Sequence, residues 1–269
     1  SIAQRGRGWG RGPTATVQLT LQTIAIVGLS ILAAIAVLMA TRRLLPQTLI
    51  KESHAVAATT MQILGTSYAV LLAFVVVVAW QSFQDAQSRS IEEAADLTTL
   101  YHLTAALPQP EQQQARDVIV EYARIVTEEE WPAMAQGHAV PEARAQIARL
   151  WQIYTGLAAT AQTNPAYADS LQNVADLENQ RELRLLDARS DLPLFVWVLL
   201  IVGAVLTVGC VYFLGVTSSA LEVTMTASLA GMIALILVLI YALDHPFQGD
   251  LSVSPDDYHA ILQEVTRGG

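Results

Sequence analysis

Gln62, Thr66, Ser67, Gln81 and Gln84 have side chains that meet water or a hydrated ion without carrying a charge, and their spacing places them together. On a helical wheel of about 100° per residue all five fall in one sector roughly 140° wide. Between its two polar ends that sector carries only Val70, Ala73, Phe74 and Val77. Turned toward an aqueous path, such a face has wet mouths and a dry middle, and apolar constrictions gate such paths by dewetting. The spacing therefore predicts nine lining residues, with the constriction at Val70, Phe74 and Val77. A plainer reading stands beside it, in which the hydroxyls bond neighbouring helices and the glutamines sit at a membrane interface.

Other chemistries find less support. The five histidines, His54, His102, His138, His245 and His259, never stand at metal-ligand spacing from one another, and a single cysteine, Cys210, makes neither a disulfide framework nor a thiolate site. Glu128, Glu129 and Glu130 offer oxygen ligands, but no Asp/Asn/Gly loop surrounds them, and the run reads as a solvated helix end. No P-loop, nucleophile elbow or dinucleotide fingerprint occurs. The expectation is a non-enzyme with no cofactor and no metal. A basic patch of nucleic-acid type is missing too, since the only basic segment is the short Arg/Gly tail.

The polar sector needs a helix long enough to hold it, and the composition supplies several. The chain has 269 residues, 53% of them hydrophobic and 14% charged, with a mean hydropathy of +0.39. That is too apolar for an ordinary soluble domain. A run of roughly 20 apolar residues crosses a bilayer core, and four such runs are expected: Val17 to Ala40, Ile63 to Trp80, Leu194 to Leu214 and Thr224 to Leu243. The second continues without Pro or Gly from Trp80 to Leu107, so one helix leaves the membrane and keeps going. The last two, separated by a short connection, form an antiparallel hairpin, with Gly203, Gly209, Ala227, Gly231 and Ala234 allowing close approach. None of these four runs contains Asp, Glu, Lys or Arg, which argues against a buried proton relay.

The resulting organisation is a tail over residues 1–16, two spans over 17–81, a helical acidic domain over 82–192, a two-span hairpin over 193–243 and a tail over 244–269. Within 82–192 the stripes Ile91/Ala94/Tyr101, Val118/Ile119/Tyr122/Ile125/Val126, Ile147/Leu150/Trp151/Tyr154/Leu157/Ala158 and Leu171/Val174/Leu177 have helical spacing and no strand-like alternation. The second stripe is expected to end near Glu128 to Pro132. The C-terminal tail should hold a short helix with Ser254 as N-cap and Pro255 at N1. The net charge of −9 divides as +5 over residues 1–60, −9 over 82–192 and −5 over 193–269. With the N-terminus inside, Arg5, Arg7, Arg11, Arg89, Arg181, Arg184 and Arg189 flank the inner side, against Arg42, Arg43 and Lys51 outside, so the helical domain is expected to be cytoplasmic.

Four segments in order, YAVLLAFVVVVAW, EEAADLTTLYHLTAALP, EYARIVTEEEWPAM and LDHPFQGDLSVSP, resemble the bacterial bestrophin-like membrane proteins catalogued as the domain of unknown function DUF4239, over about residues 55 to 262. The resemblance implies an all-α membrane protein of the bacterial inner membrane: a homo-oligomer, pentameric by analogy with bestrophins, whose second span lines a pore above a helical vestibule. Val70, Phe74 and Val77 rest on the wheel, since no neck motif matches residue by residue, and the calcium clasp of animal bestrophins is not carried over. The expected partners are the lipid bilayer, further copies of the chain and inorganic ions. The acidic domain leans the choice of ion toward cations. The alternative is a non-conducting scaffold whose acidic domain or Arg/Gly tail docks a protein partner.

Overall fold

A computed structural model of the chain describes residues 13–44, 54–157, 164–212, 219–249 and 251–268. Arg5, Arg7 and Arg11, the connection with Pro46, Lys51 and Glu52, and Ala158 and Leu214 lie outside the described residues. All regular structure among the described residues is helical, and four of the helices are long and apolar enough to cross a membrane.

The first helix, α1, runs Pro13–Leu44, starting a turn before the charge-free run does, with proline at its first position. Next comes α2, His54–Leu103, an unbroken helix of 50 residues, closed by a 3₁₀ turn at Thr104–Ala106 before the prolines at 108 and 110. It is followed by α3, Glu111–Ile125, a π turn at Val126–Glu130 and the short α4, Trp131–Met134. Then come α5, Pro141–Thr155, and α6, Pro165–Asp187, capped by the Asn164 side chain accepting from Ala166 N. Helices α7, Leu194–Val211, α8, Ser219–Asp244, and α9, Asp256–Gly268, complete the chain.

Two compact units result. The apolar one comprises residues 1–79 and 192–242. Its core sets Tyr68, Leu72 and Val75 of α2 against Leu200 of α7 and Ile233 and Ile240 of α8. Tyr68 donates its hydroxyl to Leu200 O at 2.9 Å, and its ring lies flat enough on α7 that a methyl added at Gly203 would come within 2.5 Å of it. Gly231 serves similarly for Ile31, whereas nothing stands within 4 Å of Gly209. Trp197, early in α7, meets Tyr241, late in α8, edge to face at 6.3 Å, so the hairpin is antiparallel.

One expectation fails here. Helix α8 begins before Thr224 and so takes in Glu222, which is only 2% exposed, so the spans are not free of ionisable groups. Hydropathy places the start of a span where the polar residues stop, while the helix starts where its backbone bonds begin.

The second unit comprises residues 80–191 and 243–269. Leu97, Leu100, Ile119, Tyr122, Ile147, Leu150, Tyr154, Val174 and Leu177 form a bundle core, and Phe247, Val253, Tyr258 and Ile261 join it from beyond α8. The C-terminal segment read from the sequence as a tail is thus part of this unit's interior. Trp131 fixes it, donating Nε1–H to Val253 O at 3.1 Å and meeting Phe247 and Tyr258 edge to face at 5.6 Å. Pro255, not Ser254, supplies the first carbonyl of α9, accepting from Tyr258 N.

Candidate functional site

The nine residues of the α2 sector are all exposed on the chain: Gln62, Thr66, Ser67, Val70, Ala73, Phe74, Val77, Gln81 and Gln84. Phe74 is 69% exposed and Val70 and Val77 52% each, while Tyr68, Leu72, Val75 and Ala79 are all below 8%. On a wheel of about 100° per residue the buried stripe centres half a turn from the polar sector, so the face selected by side-chain chemistry is the one that α2 does not use to pack within its own chain. Ile63 and Trp80, at 62% and 49% exposure, share this face and were not assigned to it from the sequence.

The second arrangement is a buried charge network in the bundle unit. Arg184 of α6, fully buried, donates Nε to Glu93 Oε2 at 2.6 Å, and Nη2 to Glu93 Oε1 and Glu130 Oε2 at 3.0 Å each. Arg181, one turn earlier, donates Nη2 to Glu130 Oε1 and to Val140 O. Tyr122 donates its hydroxyl to Glu93, and the Arg184 guanidinium lies 5.3 Å from the Trp131 ring centre. Burial alone would lower the pKa of Arg184, but Glu93 and Glu130 outweigh it and hold the pKa well above the ordinary range, so the guanidinium stays charged.

The expectation that Glu128 to Glu130 form a solvated helix end is corrected in part. Glu128 and Glu129 are exposed and pair with Arg124, but Glu130 is 0% exposed, and the chain stays helical past it because the π turn inserts one extra residue. Arg181 and Arg184, counted from the sequence among the inner-flank cations, are spent on these internal pairs.

A Bestrophin-like domain profile matches residues 28–258. The chain belongs to the bestrophin-like family. No curated protein matches it by sequence. A bacterial bestrophin homologue from Klebsiella pneumoniae, solved by Zn-SAD phasing, superposes on it with a TM-score of 0.65 at 14% identity, covering 91% of this chain and 97% of that one. Two single-residue variants of a bestrophin homologue from the same organism give TM-scores of 0.67 and 0.65 at 13% identity, covering 91% and 96% of this chain and 98% of each of theirs. At this identity the likeness establishes a common fold.

In this bestrophin-like chain, three of the four segments that carry the resemblance meet inside the bundle unit. Glu93 belongs to the second, Glu130, Trp131 and Met134 to the third, and Phe247 and Val253 to the fourth. Two further polar constellations emerge only in three dimensions. Asp191, Asp244 and His245 bring one ligand atom each within 4.8 Å of one another, two oxygens and a nitrogen, a donor set that suits a divalent metal. In α8, buried Glu222 stands one turn from Thr226, whose fully buried hydroxyl has no hydrogen-bond partner among the described residues.

Asp96 sits on the charged part of α2, well beyond the apolar stretch that ends at Trp80. Burial, then the nearby charges of Asp176, Glu92 and Glu93, push its pKa from an ordinary 3.8 to about 6. Because the folded-state pKa is the higher one, Asp96 favours the fold below the ordinary carboxyl range, and that contribution is lost as pH rises from about 4 to 6. Asp96→Asn should therefore unfold at a higher temperature than the parent above pH 6, with the gap closing toward pH 4. Thermal unfolding across that range measures the gap, and a gap independent of pH would contradict the assignment.

Proposed function

We propose that this bestrophin-like chain assembles into an oligomeric ion channel, with α2 lining the conduit and Val70, Phe74 and Val77 forming an apolar constriction. The observation that carries the reading is the opposition on α2: the face with polar ends and a dry middle is the face left exposed by packing within the chain. One helix cannot enclose a path, so closure needs several copies around an axis, for which cyclic symmetry is the general solution; the family analogy favours five. The −9 carried by residues 82–192 favours cations at the charged end of the conduit. With Arg181 and Arg184 left out, the Lys/Arg count near the spans is still five to three in favour of that end facing the cytoplasm of a bacterial cell, with the chain in the inner membrane.

The test is conduction by purified protein in planar bilayers, with reversal potentials taken in asymmetric salt. Ion-selective currents are expected, with cations preferred. Silence under varied ions and voltages, together with recovery of one stoichiometric protein partner, would replace this reading with the scaffold reading.

A further inference from the structure

We infer that the bundle unit carries a binding site for a small organic anion, in a cavity between the first turn of α5 and one face of α6. The cavity measures about 560 Å³, within the range of about 300–1,000 Å³ typical of small-molecule sites. Val140, Pro141, Leu185 and Leu186 give it an apolar floor. Leu186 is 57% exposed there, and Leu183 and Leu185 of the same helix line the cavity with it.

The rim is cationic. Arg144 makes no hydrogen bond or ion pair among the described residues, and Arg189 bonds only the Gly137 carbonyl, at 3.2 Å. Among the described residues neither guanidinium has a carboxylate partner, a state shared with Arg116 and Arg149, which bond Thr104 and Gln146, whereas Arg89, Arg124, Arg181 and Arg184 pair with acids. Arg181 forms the buried wall, its charge engaged by Glu130. Helix α5 starts at the same place with no side-chain cap, and Glu142 in its own first turn offsets the positive end of its dipole. Of the residues lining the cavity one is an acid, Glu182, 3.8 Å from Arg181 and half exposed.

Guanidinium forks suit carboxylate, sulfonate or phosphate heads, and the apolar floor suits a ring or short chain behind the head. An inorganic anion would satisfy the rim and leave the floor wet. The occupant that fits both is an organic anion with an apolar body. This site does not depend on whether the chain conducts.

Calorimetric titration of the full-length protein in nanodiscs, blanked against empty discs, tests it with 2-naphthalenesulfonate as the probe. The expected result is one site per chain, with affinity reduced about tenfold or more in the double variant Arg144→Gln/Arg189→Gln and raised a few-fold in Glu182→Gln. Neutral 2-naphthalenesulfonamide and inorganic sulfate should each bind at least tenfold more weakly than the probe. Equal affinity of the double variant, or of either control ligand, would overturn the assignment. So would an absence of probe binding, including the case where the double variant loses subunit assembly by native mass spectrometry, which would make the cavity a contact between copies.

Discussion

Arg184→Leu is expected to destabilise the bundle unit by about 3–5 kcal/mol, the cost of removing one partner from a buried ion pair. The reason is stoichiometric. Among the described residues Arg184 is the sole cation within salt-bridge reach of Glu93 and one of two serving Glu130, and the side chains of Arg184, Glu93 and Glu130 are 0% exposed. Leucine, three side-chain heavy atoms smaller, leaves Glu93 buried with no cation and Glu130 with Arg181 alone, and it also gives up the contact with the Trp131 ring. Against a total stability of about 5–15 kcal/mol for an ordinary domain, a loss of this size is a large fraction. Thermal unfolding of the purified protein in detergent, followed by tryptophan fluorescence, should show a transition lowered by many degrees.

Arg124→Leu is the matched control, because its pairs with Glu121 and Glu128 are exposed to solvent, which screens them, and it should unfold close to the parent. Combining Glu93→Leu with Arg184→Leu should cost clearly less than the two single changes added together, since the pair then leaves as a unit. An Arg184→Leu protein that unfolds with the parent would mean that the carboxylates are not sealed from water as the geometry indicates.

Phe74→Ala is expected to raise single-channel conductance or open fraction on the order of tenfold, equivalent to a barrier lower by about 1.4 kcal/mol. Phe74 is the bulkiest side chain on the dry middle of the α2 face, and every copy around an axis would contribute one, so a single substitution removes a whole ring of phenyl groups. At 69% exposure it makes few contacts within its own chain, so the variant should fold as the parent does. Val78→Ala, at the edge of the sector and 51% exposed, controls for the loss of apolar bulk alone and should change conduction little. Planar-bilayer recordings decide it. Parent-like currents from Phe74→Ala would move the constriction off this residue.

The parts of the molecule that depend on local spacing were legible in the sequence. Charge-free runs of bilayer length identify the four spans, and the opposed faces of α2 follow from a period of 3.6 residues within one helix. The pairings that organise the bundle were not legible, because they join residues far apart: Glu93 and Arg184 are separated by 91 positions, and Trp131 and Val253 by 122. Nothing in the pattern distinguishes Glu130 from Glu128 and Glu129. What separates them is a turn of backbone that sends one inward and leaves the others in water. Charged residues are read as surface because they usually are, and at Glu93, Glu130, Arg181, Arg184 and Glu222 that default gives the wrong side. The meeting of Asp191 with Asp244 and His245 was not legible for a related reason, since Asp191 stands far from the other two in sequence and a single histidine beside an acid has no metal-ligand spacing to read.

The π turn at Val126–Glu130 makes the facing of everything after it depend on how this one turn is wound. Were the same residues wound as a regular α-helix with none removed, everything after the turn would rotate by roughly 100° relative to everything before. Glu130 would then leave Arg181 and Arg184 at the same step that carries the Trp131 indole away from Val253 O. Rewinding this turn is therefore equivalent to several simultaneous core substitutions, whereas deleting one position within Val126–Glu129 lets an α turn keep the ion pair and the C-terminal anchor in register.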